Sequence, residues 1–126
     1  MKIRIARHVK AIEPMVHFYS DLLGLEIINT FEKHNGYDGV IMGFKTSEWE
    51  IEFTKSPESP EHTADEDDLL VLKYDDIEVY EGVIERLRSE KNIEFAPRNP
   101  FWEDHGKLFR DPEGYGVVVI MQVESK

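Results

Sequence analysis

The chain has 126 residues, 40% of them hydrophobic, which suffices for one modest core or for two small modules sharing one. Its 26 acidic and 15 basic side chains give a formal charge of -11, and no dense Lys/Arg run offsets it, so the field repels a phosphate backbone and argues against nucleic acid as a partner. The absence of cysteine removes disulfides, thiolate nucleophiles and cysteine-held clusters together, and no apolar run approaches the roughly 18 to 20 residues that span a bilayer, so a cytoplasmic protein without a membrane partner is expected.

The first seven-residue run, Ile3 to Val9, alternates as a half-buried strand does. Ile3, Ile5, Arg7 and Val9 fall on one face and Arg4, Ala6 and His8 on the other. Pro14 suits a first helical turn, Met15, Phe18, Tyr19, Leu22 and Leu23 recur at helical spacing, and Gly24 is a stop, so a helix is predicted from about Glu13 to Leu23. Strands follow at Leu25 to Phe31, Gly39 to Phe44 and Glu48 to Thr54, with the polar segment Glu32 to Gly39 as a turn around Asn35-Gly36.

Lys55 to Asp68 holds two prolines and a closing acidic run and reads as a solvated linker. Beyond it the plan repeats. Leu69 to Tyr74 is a strand, and Asp75 and Glu78 have capping-box spacing before a helix at roughly Ile77 to Glu90, whose stripe is Val79, Val83, Ile84 and Leu87. Ile93 to Ala96 reads as a short strand and Pro97 to Asp104 as a long loop. A hairpin closes the chain, its turn marked by Pro112 and Gly114. The halves match at an offset of 65 positions, Arg4 to Leu69, which becomes 66 near the end, Glu52 to Val118.

On His17-Phe18-Tyr19-Ser20-Asp21-Leu22-Leu23-Gly24-Leu25-Glu26 and Phe109-Arg110-Asp111-Pro112-Glu113-Gly114, the sequence resembles the vicinal oxygen chelate superfamily, which includes glyoxalase I, extradiol dioxygenases and bleomycin-resistance proteins. Gly36-Tyr37-Asp38-Gly39, Asp67 to Leu72 and Asn99-Pro100-Phe101-Trp102 are similar to a largely uncharacterised bacterial branch of it. The resemblance implies an α+β fold: two paired β-α-β-β-β modules forming a curved mixed sheet around a cavity. One domain is expected over residues 1–126, with module one at 1–54, a linker at 55–68 and module two at 69–123.

In metal-dependent relatives four inward positions, two from each module, hold a divalent ion. The resemblance places Arg4, Glu52, Leu69 and Val118 at them, and only Glu52 fits. Leucine and valine donate no lone pair, and a guanidinium has donors but no acceptor. No metal and no cofactor are therefore expected. A shifted site using His8, Glu52 and water is the alternative; His8 also reads as a structural histidine or as a ligand contact. Arg4 and Glu52 read as a structural ion pair or as polar groups that recognise a ligand. His17 belongs to a helix surface, His34 and His105 to loops that could line a pocket, and His62 to the linker.

The expected function is metal-free binding of an unidentified small organic ligand, with resistance by sequestration as one outcome. Arg4, His8 and Glu52 would make the directional contacts, and Tyr37, Tyr74, Trp102 and His105 would contribute to the walls. Catalysis is left open by the residues: a glyoxalase- or dioxygenase-related enzyme is one rival, and a structural or regulatory interaction protein the other. A homodimer would add a second interface without implying a function.

Overall fold

The computed structural model describes residues 1–122, so Val123, the expected end of module two, lies outside the described residues. The chain divides into two units, Met1–His62 and a second that begins at Thr63.

In the first unit, β1 (Ile3–His8) is followed by α1 (Ile12–Val16), which runs on as wider π-helical turns over His17–Leu22. The predicted helix is there, but its second half is not α-helical. The Leu23 N–H reaches back five residues to the Phe18 carbonyl at 3.1 Å. Phe18, Tyr19, Leu22 and Leu23 are all buried at this wider pitch, and Tyr19 lies 5.0 Å from Phe53, ring centre to ring centre. Each large apolar side chain fully removed from water contributes about 1.5–3 kcal/mol, so this cluster is the centre of the unit's core.

Strands β2 (Glu26–His34), β3 (Tyr37–Gly43) and β4 (Trp49–Lys55) complete the unit in the order β1-β4-β3-β2. β2 runs three residues past its predicted end, because after an irregularity between Phe31 and His34 the pairing resumes at His34. His34 is opposite Tyr37, leaving Asn35 (φ 53) and Gly36 (φ 85) as a two-residue reversal. β1 runs parallel to β4, with Arg4 opposite Glu50 and Ala6 opposite Glu52, while the other ladders are antiparallel.

The second unit has β5 (Leu69–Tyr74), α2 (Ile77–Ser89), a 3-10 turn at Pro100–Glu103, β6 (Lys107–Arg110) and β7 (Gly116–Met121). β5 runs parallel to β7 and the strand order is β5-β7-β6. The strand expected at Ile93 to Ala96 is reduced to one bridge, Glu94 opposite Phe109. Ile93 and Phe95 hydrogen-bond Arg110 and Leu108, but Pro97 has no N–H to extend the ladder.

The cap of α2 is Asp76 rather than Asp75. Its carboxylate accepts from the N–H groups of Glu78 (2.9 Å) and Val79 (3.1 Å). Val83, Ile84 and Leu87 are buried as predicted, whereas Val79, in the first turn, is 52% exposed. The acidic run is less free than a solvated linker would be. Arg98 pairs with Asp65, Glu66 and Asp67 at 3.3 Å each, and Arg110 with Glu66 at 3.4 Å. These pairs are largely exposed, and each contributes little.

The closing hairpin turns on Asp111, which is buried. Its Oδ1 accepts from the N–H groups of Glu113 and Tyr115, both at 2.9 Å, and Gly114 adopts φ 91 beneath it. Substituting Asp111→Ala leaves two backbone donors without their acceptor. The expected cost is about 1–3 kcal/mol in urea unfolding, with Asp111→Asn losing less; an unchanged midpoint for the alanine variant would show that water replaces the carboxylate.

Candidate functional site

The two faces of the first sheet differ in kind. Val40, Met42, Ile51 and Phe53 share the face that packs on the helix. Side chains alternate across a strand, so the helix-free face takes Arg4, Ala6 and His8 from β1, Glu50 and Glu52 from β4, and Tyr37, Gly39 and Ile41 from β3. Four sequence candidates, Arg4, His8, Tyr37 and Glu52, therefore share one surface.

Arg4 and Glu52 meet as the sequence suggested, Nη1 to Oε1 at 3.0 Å. Glu50 was missed and is the more deeply placed acid, only 6% exposed. Its Oε2 accepts from Arg4 Nε, and its Oε1 lies 3.2 Å from Lys2 Nζ. Strand parity held the signal, since in Trp49-Glu50-Ile51-Glu52-Phe53 the two acids point the same way. The hydrogen bond from Arg4, ahead of its charge and that of Lys2, holds the Glu50 carboxyl below the usual carboxylate range. The bond to Glu50 correspondingly raises Arg4.

Farther along β1, about 13 Å from Arg4 at the usual rise per residue, His8 forms a second cluster. Its Nε2 is 3.0 Å from Ser56 Oγ, its ring meets Tyr37 edge-on at 6.3 Å, and its carbonyl oxygen is 2.9 Å from His62 Nε2. His62, read as a linker residue, thus fastens its segment to the end of β1. His17 pairs with Asp21 at 2.9 Å on the surface, and His34 sits edge-on against Phe31.

The remaining candidates belong to the second unit. Tyr74 lies 6.3 Å from Tyr80, and burial pushes its hydroxyl up to about 12, with the Arg86 charge opposing. The sequence grouped Trp102 with His105, but Phe101 is the ring common to both. His105 stacks on Phe101 at 4.1 Å, and Trp102 meets Phe101 edge-on at 4.9 Å.

The second sheet reproduces the register of the first with different chemistry. Ala6 is opposite Glu52 in one and Val71 opposite Val118 in the other, which are the same places under the 65- and 66-residue offsets. The counterparts of Arg4, Glu50 and Glu52 are Leu69, Gly116 and Val118. Val118 is fully buried, and a Cβ on Gly116 would stand 2.6 Å from Leu69 Cδ2 and 3.0 Å from Phe95 Cζ. Hydrocarbon fills that corner. A divalent ion does not fit the donor set carried over from metal-dependent relatives, because Glu52 is its one carboxylate and that group is bound to Arg4. Among the described residues there is no group of three or more His, Asp or Glu placed to hold an ion.

Comparison with known proteins agrees with this repeat. Residues 3–54 match the model of a YycE-like N-terminal domain, and residues 67–121 that of a YycE-like C-terminal domain. The uncharacterised protein YycE of Bacillus subtilis strain 168 is 31% identical over 118 residues, covering 93% of this chain and 85% of that one. The chain belongs to the YycE-like family of the vicinal oxygen chelate superfamily.

A crystal structure of B. subtilis YycE, a protein of unknown function, superposes with a TM-score of 0.86 at 29% identity, covering 99% of this chain and 90% of that one. Glyoxalase I of Leishmania major gives 0.74 at 15% identity over 96% and 86%. The antibiotic-binding protein TnmS3 of Streptomyces sp. CB03234 gives 0.61 at 18% identity over 94% and 93%. The last two show the shared fold. No helix among the described residues is long and apolar enough to cross a membrane.

Two titrations test this geometry. Because the Glu50 pKa is lowered in the folded state, its contribution to stability is present above the ordinary carboxylate range and is lost as pH falls through the folded value. Arg4→Gln is therefore expected to lower Tm by several degrees at pH 7, with the gap to the parent protein closing as pH approaches 3. A gap independent of pH would sink the ion-pair account. Absorbance titration of the tyrosines should show a component near 12 that Tyr74→Phe removes. Since that folded value is raised, stability should start to fall above the ordinary tyrosine value of about 10.

Proposed function

We propose that this protein binds a small organic molecule without a metal ion, using the helix-free face of its first sheet, and acts by sequestering it. The observation that carries this reading is the substitution of chemistry at the positions that hold metal in relatives. A guanidinium held by two carboxylates stands in the first module and packed hydrocarbon in the second. Such a group makes directional hydrogen bonds to a polar ligand without a metal's help. The antibiotic-binding relative, TnmS3, supports ligand holding as a use of the fold, although at 18% identity it says nothing about which ligand.

His8 and Tyr37 supply an aromatic flank on the same surface; within the second unit, taken by itself, Tyr74, Trp102 and His105 are proposed as ligand contacts. A pocket of this kind combines apolar walls with a few convergent polar groups.

Native mass spectrometry of protein purified from cells without chelator tests the reading, together with elemental analysis of the same sample. The expected result is a substoichiometric metal content and an organic adduct of a few hundred daltons that Glu52→Gln weakens at least about tenfold while the fold persists. Near-stoichiometric zinc, nickel, manganese or iron, lost on Glu52→Gln, would overturn it in favour of a metal-dependent enzyme.

A further inference from the structure

The charge balance of the Arg4 cluster narrows the class of ligand, an inference that rests on the small-molecule reading of this face. Both Glu50 oxygens are engaged, one by Arg4 and one by Lys2, so Glu50 has a structural part and little left to offer. Arg4 and Glu52 differ in this respect. The guanidinium uses Nε and one Nη1 bond, and its remaining N–H groups have no partner among the described residues; nor does Glu52 Oε2. The Arg4 side chain is 50% exposed, and its neighbour on the same face is the small Ala6. A donor and an acceptor are thus displayed side by side.

The two cations, Lys2 and Arg4, are matched by the two carboxylates, Glu50 and Glu52. An incoming carboxylate or phosphate would compete for a guanidinium that is already neutralised and would stand against both acids. The formal charge of -11 on the whole chain opposes it again at longer range. A carboxamide meets no such opposition. Its carbonyl accepts from Arg4 while its N–H donates to Glu52, matching the exposed pair without adding charge.

The other end of the face is aromatic. The His8 and Tyr37 rings are in edge contact, and the Phe31 ring lies over Gly39, where a Cβ would stand only 2.2 Å from its Cζ. Rings there present faces and edges for an aromatic partner. We infer that the ligand is uncharged, carries a carboxamide-like donor and acceptor pair at one end and an aromatic ring at the other, and that the site discriminates against anions.

The experiment compares 5-phenylpentanamide with 5-phenylpentanoate, titrated into the full-length ¹⁵N-labelled protein and followed by two-dimensional NMR. The amide is expected to shift the backbone resonances of Arg4, Ala6, His8 and Glu52, with an apparent Kd about tenfold or more below that of the carboxylate. In Glu52→Gln, which removes one negative charge, that preference should shrink to about threefold or less. Equal or tighter binding of the carboxylate at these residues would overturn the selectivity and leave the small-molecule reading standing. A preference undiminished in Glu52→Gln would likewise remove the assigned acceptor. If neither probe perturbs this face at millimolar concentration the inference fails, and the adduct found by mass spectrometry then judges the broader reading separately.

Discussion

The parallel pairing of first strand to last strand within each unit is the constraint on which the site depends. In β1 and β4 it sets Arg4 opposite Glu50 and Ala6 opposite Glu52, so three charged side chains from positions far apart in sequence project from the same side of one ladder. Parallel strands cannot be joined by a tight turn. The intervening helix and hairpin are the crossover that this pairing requires, and the helix then covers the opposite face. One face becomes core and the other stays polar. The same pairing in the second unit, Leu69 to Gly116 and Val71 to Val118, buries a corner of hydrocarbon instead.

A buried carboxylate is costly unless its oxygens are matched, and Glu50 shows how this chain meets that cost. Arg4 and Lys2 take one oxygen each, and the pull of the Arg4 hydrogen bond on its titration is what desolvation alone would oppose. Glu52, more accessible, is bound to Arg4 through Oε1 alone. Two glutamates two residues apart thus have different environments. The difference comes from their neighbours, since the side chains are chemically identical.

The repeat also explains what the metal-binding positions became. A divalent ion needs several lone pairs converging on one point, and the chain offers one carboxylate, a guanidinium and two aliphatic groups at the equivalent places. At the first of these places the chain carries a permanent cation, Arg4. A guanidinium cannot polarise a substrate as a metal does, but it is planar, always charged and able to fix the orientation of a hydrogen-bonding partner.

Several features were legible in the order of residues alone: the β-α-β-β-β repeat, the alternation that put Arg4 with His8, the Asn35-Gly36 reversal, and the spacing of Val83, Ile84 and Leu87. Each is a local rule of period or turn chemistry acting over a few positions. The π-helical end of the first helix, the reduction of the 93–96 strand to one bridge, the shift of the cap to Asp76 and the depth of Glu50 were decided otherwise. The depth of Glu50 depends on Arg4, which hydrogen-bonds to it from a distant part of the chain, whereas the π turn, the Asp76 cap and the stop at Pro97 are choices between close local alternatives that spacing alone leaves open. Alternation along Ile3 to Val9 told which face of β1 each side chain would take; only the register between strands decided which charges would meet, because a ladder's alignment is a property of two segments and is written in neither.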